Sequence, residues 1–126
     1  MNQFKELLNK IKLYSQSNKK FMITSLTSFK YNLLKFLKVK GYVKDIIEFK
    51  IDNKNFLLIE LTNNSINTIY FFNSSYKKNY ISNFNLLKWV KFKYLVLITT
   101  SKGILSASTA YNLRLGGQLL CYIKNN

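Results

Sequence analysis

The sequence predicts an α+β fold built as two small packed α/β lobes. A helix-strand-helix-hairpin lobe is expected over residues 1–63, and a mainly antiparallel sheet with short helices over 64–126. Three observations predict it. Apolar residues recur at helical spacing near the N-terminus and at a period of about two from Tyr42 onward. Asn, Asp and Gly, in a chain with no Pro, punctuate these runs where turns are needed. A length of 126 residues suits one compact domain or two very small ones, and the polar triplet Asn63-Asn64-Ser65 divides them while being too short for a flexible linker.

Phe4, Leu7, Leu8 and Ile11 follow the i, i+3, i+4, i+7 rule, so an amphipathic helix is expected over 3–14. Lys5, Asn9, Lys10 and Lys12 fall elsewhere on its wheel. That basic face suits phosphate or lipid; the same pattern equally suits a core-packing helix with solvated lysines. Residues 15–20 read as a loop and Phe21–Thr24 as a short strand. Thr27 or Ser28 can cap a second helix with Phe29, Leu33, Phe36 and Leu37 on one face, and Gly41 stands where a helix-terminating glycine belongs. Tyr42–Ile51, Asn55–Thr62 and Ile66–Asn73 read as strands, joined by Asp52-Asn53-Lys54 and by the 63–65 turn. Beyond a polar and aromatic stretch, Leu86–Lys93 suits a short helix holding Trp89, and Tyr94–Thr99 a buried central strand. A turn at 100–103, a helix over 106–114 ended by Gly116-Gly117, and a closing strand over 118–124 complete the expectation.

Composition excludes much chemistry. Lys+Arg number 20 against five Asp+Glu, giving a formal charge of +15, which calls for a polyanion or an anionic membrane nearby. No His is present, so Ser-His, Cys-His and His-metal arrangements are excluded. The lone Cys121, in the apolar run LLCYI, reads as a small core residue; no metal or cofactor is expected. Four glycines make no phosphate loop or dinucleotide fingerprint, and the scattered Glu6, Asp45, Glu48, Asp52 and Glu60 argue against paired-carboxylate catalysis or a small-molecule substrate. Nineteen Lys to one Arg, 16 Asn and 12 Ile follow A/T-rich codons, which points to an A/T-rich genome such as an organelle's. Protein chemistry alone would favour Arg on phosphates. The N-terminal segment lacks the marks of a signal or transit peptide, and no apolar run is long enough for a membrane span.

Two segments carry candidate binding chemistry. Thr99, Thr100, Ser101, Lys102 and Gly103 lie between a strand and a helix and offer three hydroxyls, a cation and a flexible backbone. With the free amides of a following helix they would suit a sugar-phosphate chain and the 2′-hydroxyls of an RNA minor groove. The same string also makes a plain turn with Ser106 as an N-cap. Tyr76, Lys77, Lys78 and Tyr80 interleave rings and cations as a base-stacking, phosphate-neutralising surface would, or as an exposed hairpin would.

The run from Thr99 to Lys124, TTSKGILSASTAYNLRLGGQLLCYIK, closely resembles the end of the bacterial-type small-subunit ribosomal protein eight family. That family closes on a Ser-Thr-Ser-Lys-Gly-like turn, an Ala-containing helix, a Leu-Gly-Gly-Glu step and an Ile-Cys-Tyr-Val strand. ELLNKIK and LLKFLKVKGYVKDIIEF resemble its N-terminal helix and its helix-Gly-aromatic junction. Gln118 replaces the family's Glu, Ser25–Phe29 lacks a basic residue of its Pro-Ser-Ser-Lys-Leu stretch, and the loop at 73–80 lacks its Pro-Gly turn. The resemblance implies a non-enzymatic constituent of the small ribosomal subunit whose C-terminal lobe binds the central domain of small-subunit rRNA, beside neighbouring ribosomal proteins. By position, Thr99, Thr100, Ser101, Lys102 and Gly103 would form the turn entering the RNA minor groove. Lys77, Lys78 and Tyr80 would support that surface, and Gly116, Gly117 and Gln118 would shape it. Codon bias with no presequence suggests the mitochondrial matrix, with the plastid stroma as the alternative; an A/T-rich bacterium also fits the bias. A basic peripheral membrane-surface protein, using helix 3–14 on anionic lipid without inserting, is the competing function.

Overall fold

A computed structural model describes residues 2–62, 66–72 and 80–125. The chain divides into two compact units, one running to Asn67 and one over Thr68–Asn125, the division falling inside a strand. The architecture is the mixture of helix and antiparallel sheet that the periodicities imply.

The first unit opens on α1 (Asn2–Gln16), whose Phe4, Leu7, Leu8 and Ile11 are all buried. Burial of each such side chain contributes about 1.5–3 kcal/mol, so this face belongs to the core. After β1 (Phe21–Ser25), Thr27 caps α2 (Ser28–Val39) by accepting a hydrogen bond from the Lys30 amide. Helix α2 buries Leu33, Leu34 and Leu37; Phe29, expected on the same face, lies at the core margin, 39% exposed with its ring edge-on to Phe4. Gly41 ends the helix at φ +90, a backbone that side-chain-bearing residues rarely adopt. Strands β2 (Val43–Ile51) and β3 (Lys54–Leu61) pair antiparallel across Asp52 and Asn53, both at positive φ, the two-residue turn that the local twist favours. The sheet order is β1-β3-β2.

The second sheet takes β4 (Ile66–Phe71), β6 (Leu95–Thr100), β7 (Gly103–Ser106) and β8 (Gly117–Asn125) in the order β4-β8-β6-β7, with the short β5 (Tyr80–Ile81) also on β8. A 3-10 turn at Phe84–Leu86 leads into α3 (Leu87–Val90), and α4 spans Ala107–Asn112. One sheet face buries Val96, Ile98 and Leu119 against Leu86, Ala107 and Ala110, with Trp89, Phe92 and Tyr122 packed at the margin. The β6–β8 register shifts between Leu97 and Ile98, which pair with Cys121 and Leu119. Leu120 is therefore the extra residue of a β-bulge, and the bulge sends Leu119 and Cys121 to opposite faces although they lie two apart.

Two expectations need correction. The helix does not follow the 100–103 turn: β7 intervenes, because Ile104 and Leu105 pair with Thr99 and Ile98 before Ser106 caps α4. Nor do Gly116 and Gly117 end that helix. Arg114, at φ +60, does so, leaving the glycines for close packing.

Candidate nucleic-acid interface

The bend at 100–103 is a hairpin between β6 and β7 in which Thr100 pairs with Gly103. Only Gly103 of the bend has positive φ, at +100, and the β6–β7 register runs unshifted up to it. A side chain at Gly103 would meet no atom within 4 Å, so backbone conformation, not space, requires glycine there. The Thr100 hydroxyl is spent on the bend: it donates to the Gly103 carbonyl at 2.9 Å and accepts from the Lys102 amide at 3.1 Å. Ser101, Lys102 and Gly103 are exposed. Among the described residues, the Ser101 hydroxyl makes no hydrogen bond and is free for a ligand.

Strand register gathers the remaining candidates. Ile98 faces the helices, so Thr99 points to the opposite sheet face. Thr99 pairs with Gln118 on β8, and Gln118 pairs with Tyr80 on β5. Directly paired residues share a face, so Tyr80, Gln118 and Thr99 form a row across three strands, about 10 Å wide at ordinary strand spacing. An open groove of about 550 Å³ runs beside this row, lined also by Thr100, Ser101, Arg114, Leu115, Gly116 and Gly117. Tyr80 is 67% exposed, its ring available for stacking. Lys77 and Lys78, with Tyr76, lie outside the described residues.

The two glycines set the groove floor. A Cβ on Gly117 would lie 2.1 Å from the Thr99 carbonyl oxygen, and one on Gly116 would lie 2.7 Å from that of Ile81. Backbone, which cannot swing aside, occupies both places, so the strands meet here only because side chains are missing.

Sequence reading missed two residues. Arg114 lies in the groove, yet its single charge had no motif to mark it. Asn83 directs its side-chain amide at the carbonyls of Ala110, Tyr111 and Leu115, 3.1–3.4 Å away, and so fastens the end of α4 to the segment after β5. A lone Asn in a polar stretch signals only a turn.

Charge completes the site. All five carboxylates precede residue 61, so residues 68–125 carry eight cations and no anion. Cys121 contributes no chemistry: it is buried, and burial pushes its thiol well above the ordinary range, which keeps it protonated. No group of His, Cys, Asp or Glu suited to a metal ion occurs among the described residues.

Comparison with known proteins gives this surface a context. The family model for ribosomal protein S8 matches residues 2–123. The small ribosomal subunit protein uS8c of Cyanidium caldarium is 33% identical over 94% of this chain and 94% of its own length. The small ribosomal subunit protein uS8 of Buchnera aphidicola subsp. Schizaphis graminum is 28% identical, covering 94% of this chain and 93% of its own. The uS8c protein of Chaetosphaeridium globosum is 32% identical over 71% of this chain and 72% of its own.

Proposed function

We infer, from the premise that the chain belongs to the ribosomal protein S8 family, that it binds the central domain of small-subunit rRNA through the groove beside the Thr99–Gly103 bend. The family is one of structural small-subunit proteins and not of enzymes. The single observation that carries the finer reading is the row Tyr80-Gln118-Thr99 beside an exposed bend, on a unit without carboxylates. Lysines neutralise phosphates; the Ser101 hydroxyl, the Gln118 amide and the glycine backbone meet the sugar edge of a shallow minor groove, where 2′-hydroxyls donate and accept. Neighbouring small-subunit proteins are the other partners this reading assigns.

An organellar ribosome is the setting we propose. The uS8c relatives favour the plastid stroma. The codon bias behind the mitochondrial expectation is one that both kinds of organellar genome share. The membrane-surface reading loses its basis, because the apolar residues of α1 that would enter lipid are buried in the first unit. No helix among the described residues is long and apolar enough to cross a membrane.

Filter binding to a central-domain rRNA fragment across a salt series tests the reading. If about six phosphates are covered, log affinity falls with log salt at a slope of roughly −5. Ser101→Ala weakens binding and leaves that slope unchanged, whereas Lys102→Gln weakens binding and flattens it by about one. Wild-type affinity in both variants would remove the bend from the interface.

A further inference from the structure

Two helices of this molecule end in the same hydrogen-bond pattern on different residues. At the end of α2 the amides of Gly41 and Tyr42 donate to the carbonyls of Lys38 and Leu37, with Gly41 at φ +90. At the end of α4 the amides of Arg114 and Leu115 donate to those of Tyr111 and Ala110, with Arg114 at φ +60. Glycine adopts this left-handed backbone freely; a residue with a Cβ is strained in it. The strained position holds the only Arg among 20 basic residues. Its side chain is exposed in the groove with Tyr80, Ser101 and Gln118. Among the described residues its guanidinium has no partner, and its unit contains no carboxylate to supply one.

We propose that Arg114 is the anion clamp of this groove, its planar fork taking the two non-bridging oxygens of one RNA phosphodiester. The proposal rests on the groove being the RNA site. A guanidinium presents parallel N–H donors that fit such a pair of oxygens, whereas an ammonium meets them as a point charge. The left-handed turn places Arg114 in the groove lining at the cost of local strain, which a glycine would relieve while removing the fork. A cation serving only the negative end of α4 would act in the opposite sense, and its removal would lower stability.

The test uses the full chain, thermal unfolding followed by fluorescence of the single Trp89, and filter binding to the central-domain rRNA fragment over salt. Arg114→Gly is expected to melt about 4 °C higher, since relief of strain is of that order for a small domain. It should bind about tenfold more weakly, with a salt slope shallower by about one. Arg114→Lys should keep the slope and lose affinity severalfold. Arg114→Gly binding within twofold of wild type while Ser101→Ala binds weakly overturns the clamp and leaves the groove reading standing. Unchanged binding in both removes the groove reading and the clamp together. A lower melting temperature for Arg114→Gly makes Arg114 a helix-end charge and overturns the proposal.

Discussion

In the first unit Lys38 lies 3.6 Å from Asp45 and Lys44 lies 3.5 Å from Glu60; the sequence of the second holds eight cations and no carboxylate of its own. Both units cover a sheet with helices, and both bury aliphatic cores. They differ in how charge is settled. One unit offsets part of its basic surface internally. The other has no carboxylate of its own to offset its cations and bears the self-repulsion. Three of the four glycines, Gly103, Gly116 and Gly117, line or flank the groove, while the first unit keeps Gly41 at the end of α2 and makes its hairpin turn from Asp52 and Asn53. The unit proposed to bind RNA is thus the one whose charge departs most from what stability alone would select.

That contrast can be broken at its strongest point. Gly117→Ala puts a methyl group where the Thr99 carbonyl stands and should destabilise the second unit by about 3 kcal/mol. Urea unfolding followed through Trp89, which reports on that unit, would show the drop; an unchanged midpoint would mean the β6–β8 join can relax. Gly103→Val meets no atom and should cost less, about 1–2 kcal/mol from backbone strain alone, in the same unfolding measurement. Its RNA affinity should still fall, because the bend changes shape. Raising NaCl from about 0.05 to 0.5 M should steady the second unit more than the first, by about 1 kcal/mol or less, as like charges are screened. Amide exchange resolved by unit would read the difference. Smallest of all, Asp45→Asn should shift first-unit stability by no more than about 0.5 kcal/mol, since the Lys38–Asp45 pair is half exposed. A larger loss, seen by amide exchange in β2 and α2, would show that internal pairing matters more there than the comparison allows.

Local rules made much of the fold legible. The spacing of Phe4, Leu7, Leu8 and Ile11 gave α1 and its buried face; Thr27 and Gly41 bounded α2; Asp52-Asn53 marked a hairpin. Each is decided by neighbours a few residues away. The errors fell where that condition fails. Strand β7 is only four residues long and owes its existence to pairing with β6, so Gly103–Ser106 read as the run-up to a helix. Gly116 and Gly117 looked like a helix stop because nothing local reveals that carbonyls from Thr99 and Ile81 crowd them. Leu34 lies at the centre of the core and Phe29 at its margin against Phe4, because packing selects one arc of the α2 wheel and the apolar stripe was wider than the arc.

The candidate site divides along the same line. Charge balance, the missing His, the hydroxyl-glycine string and the family resemblance are properties of composition and order, and the sequence by itself determined them. That Tyr80, Gln118 and Thr99 stand in one row, that Thr100 spends its hydroxyl on the bend, and that Arg114 enters the groove were decided by tertiary structure. The physical reason is reach. Periodicity and turn chemistry act over a few residues, whereas strand register aligns positions 19 and 38 apart through hydrogen bonds that no local preference encodes.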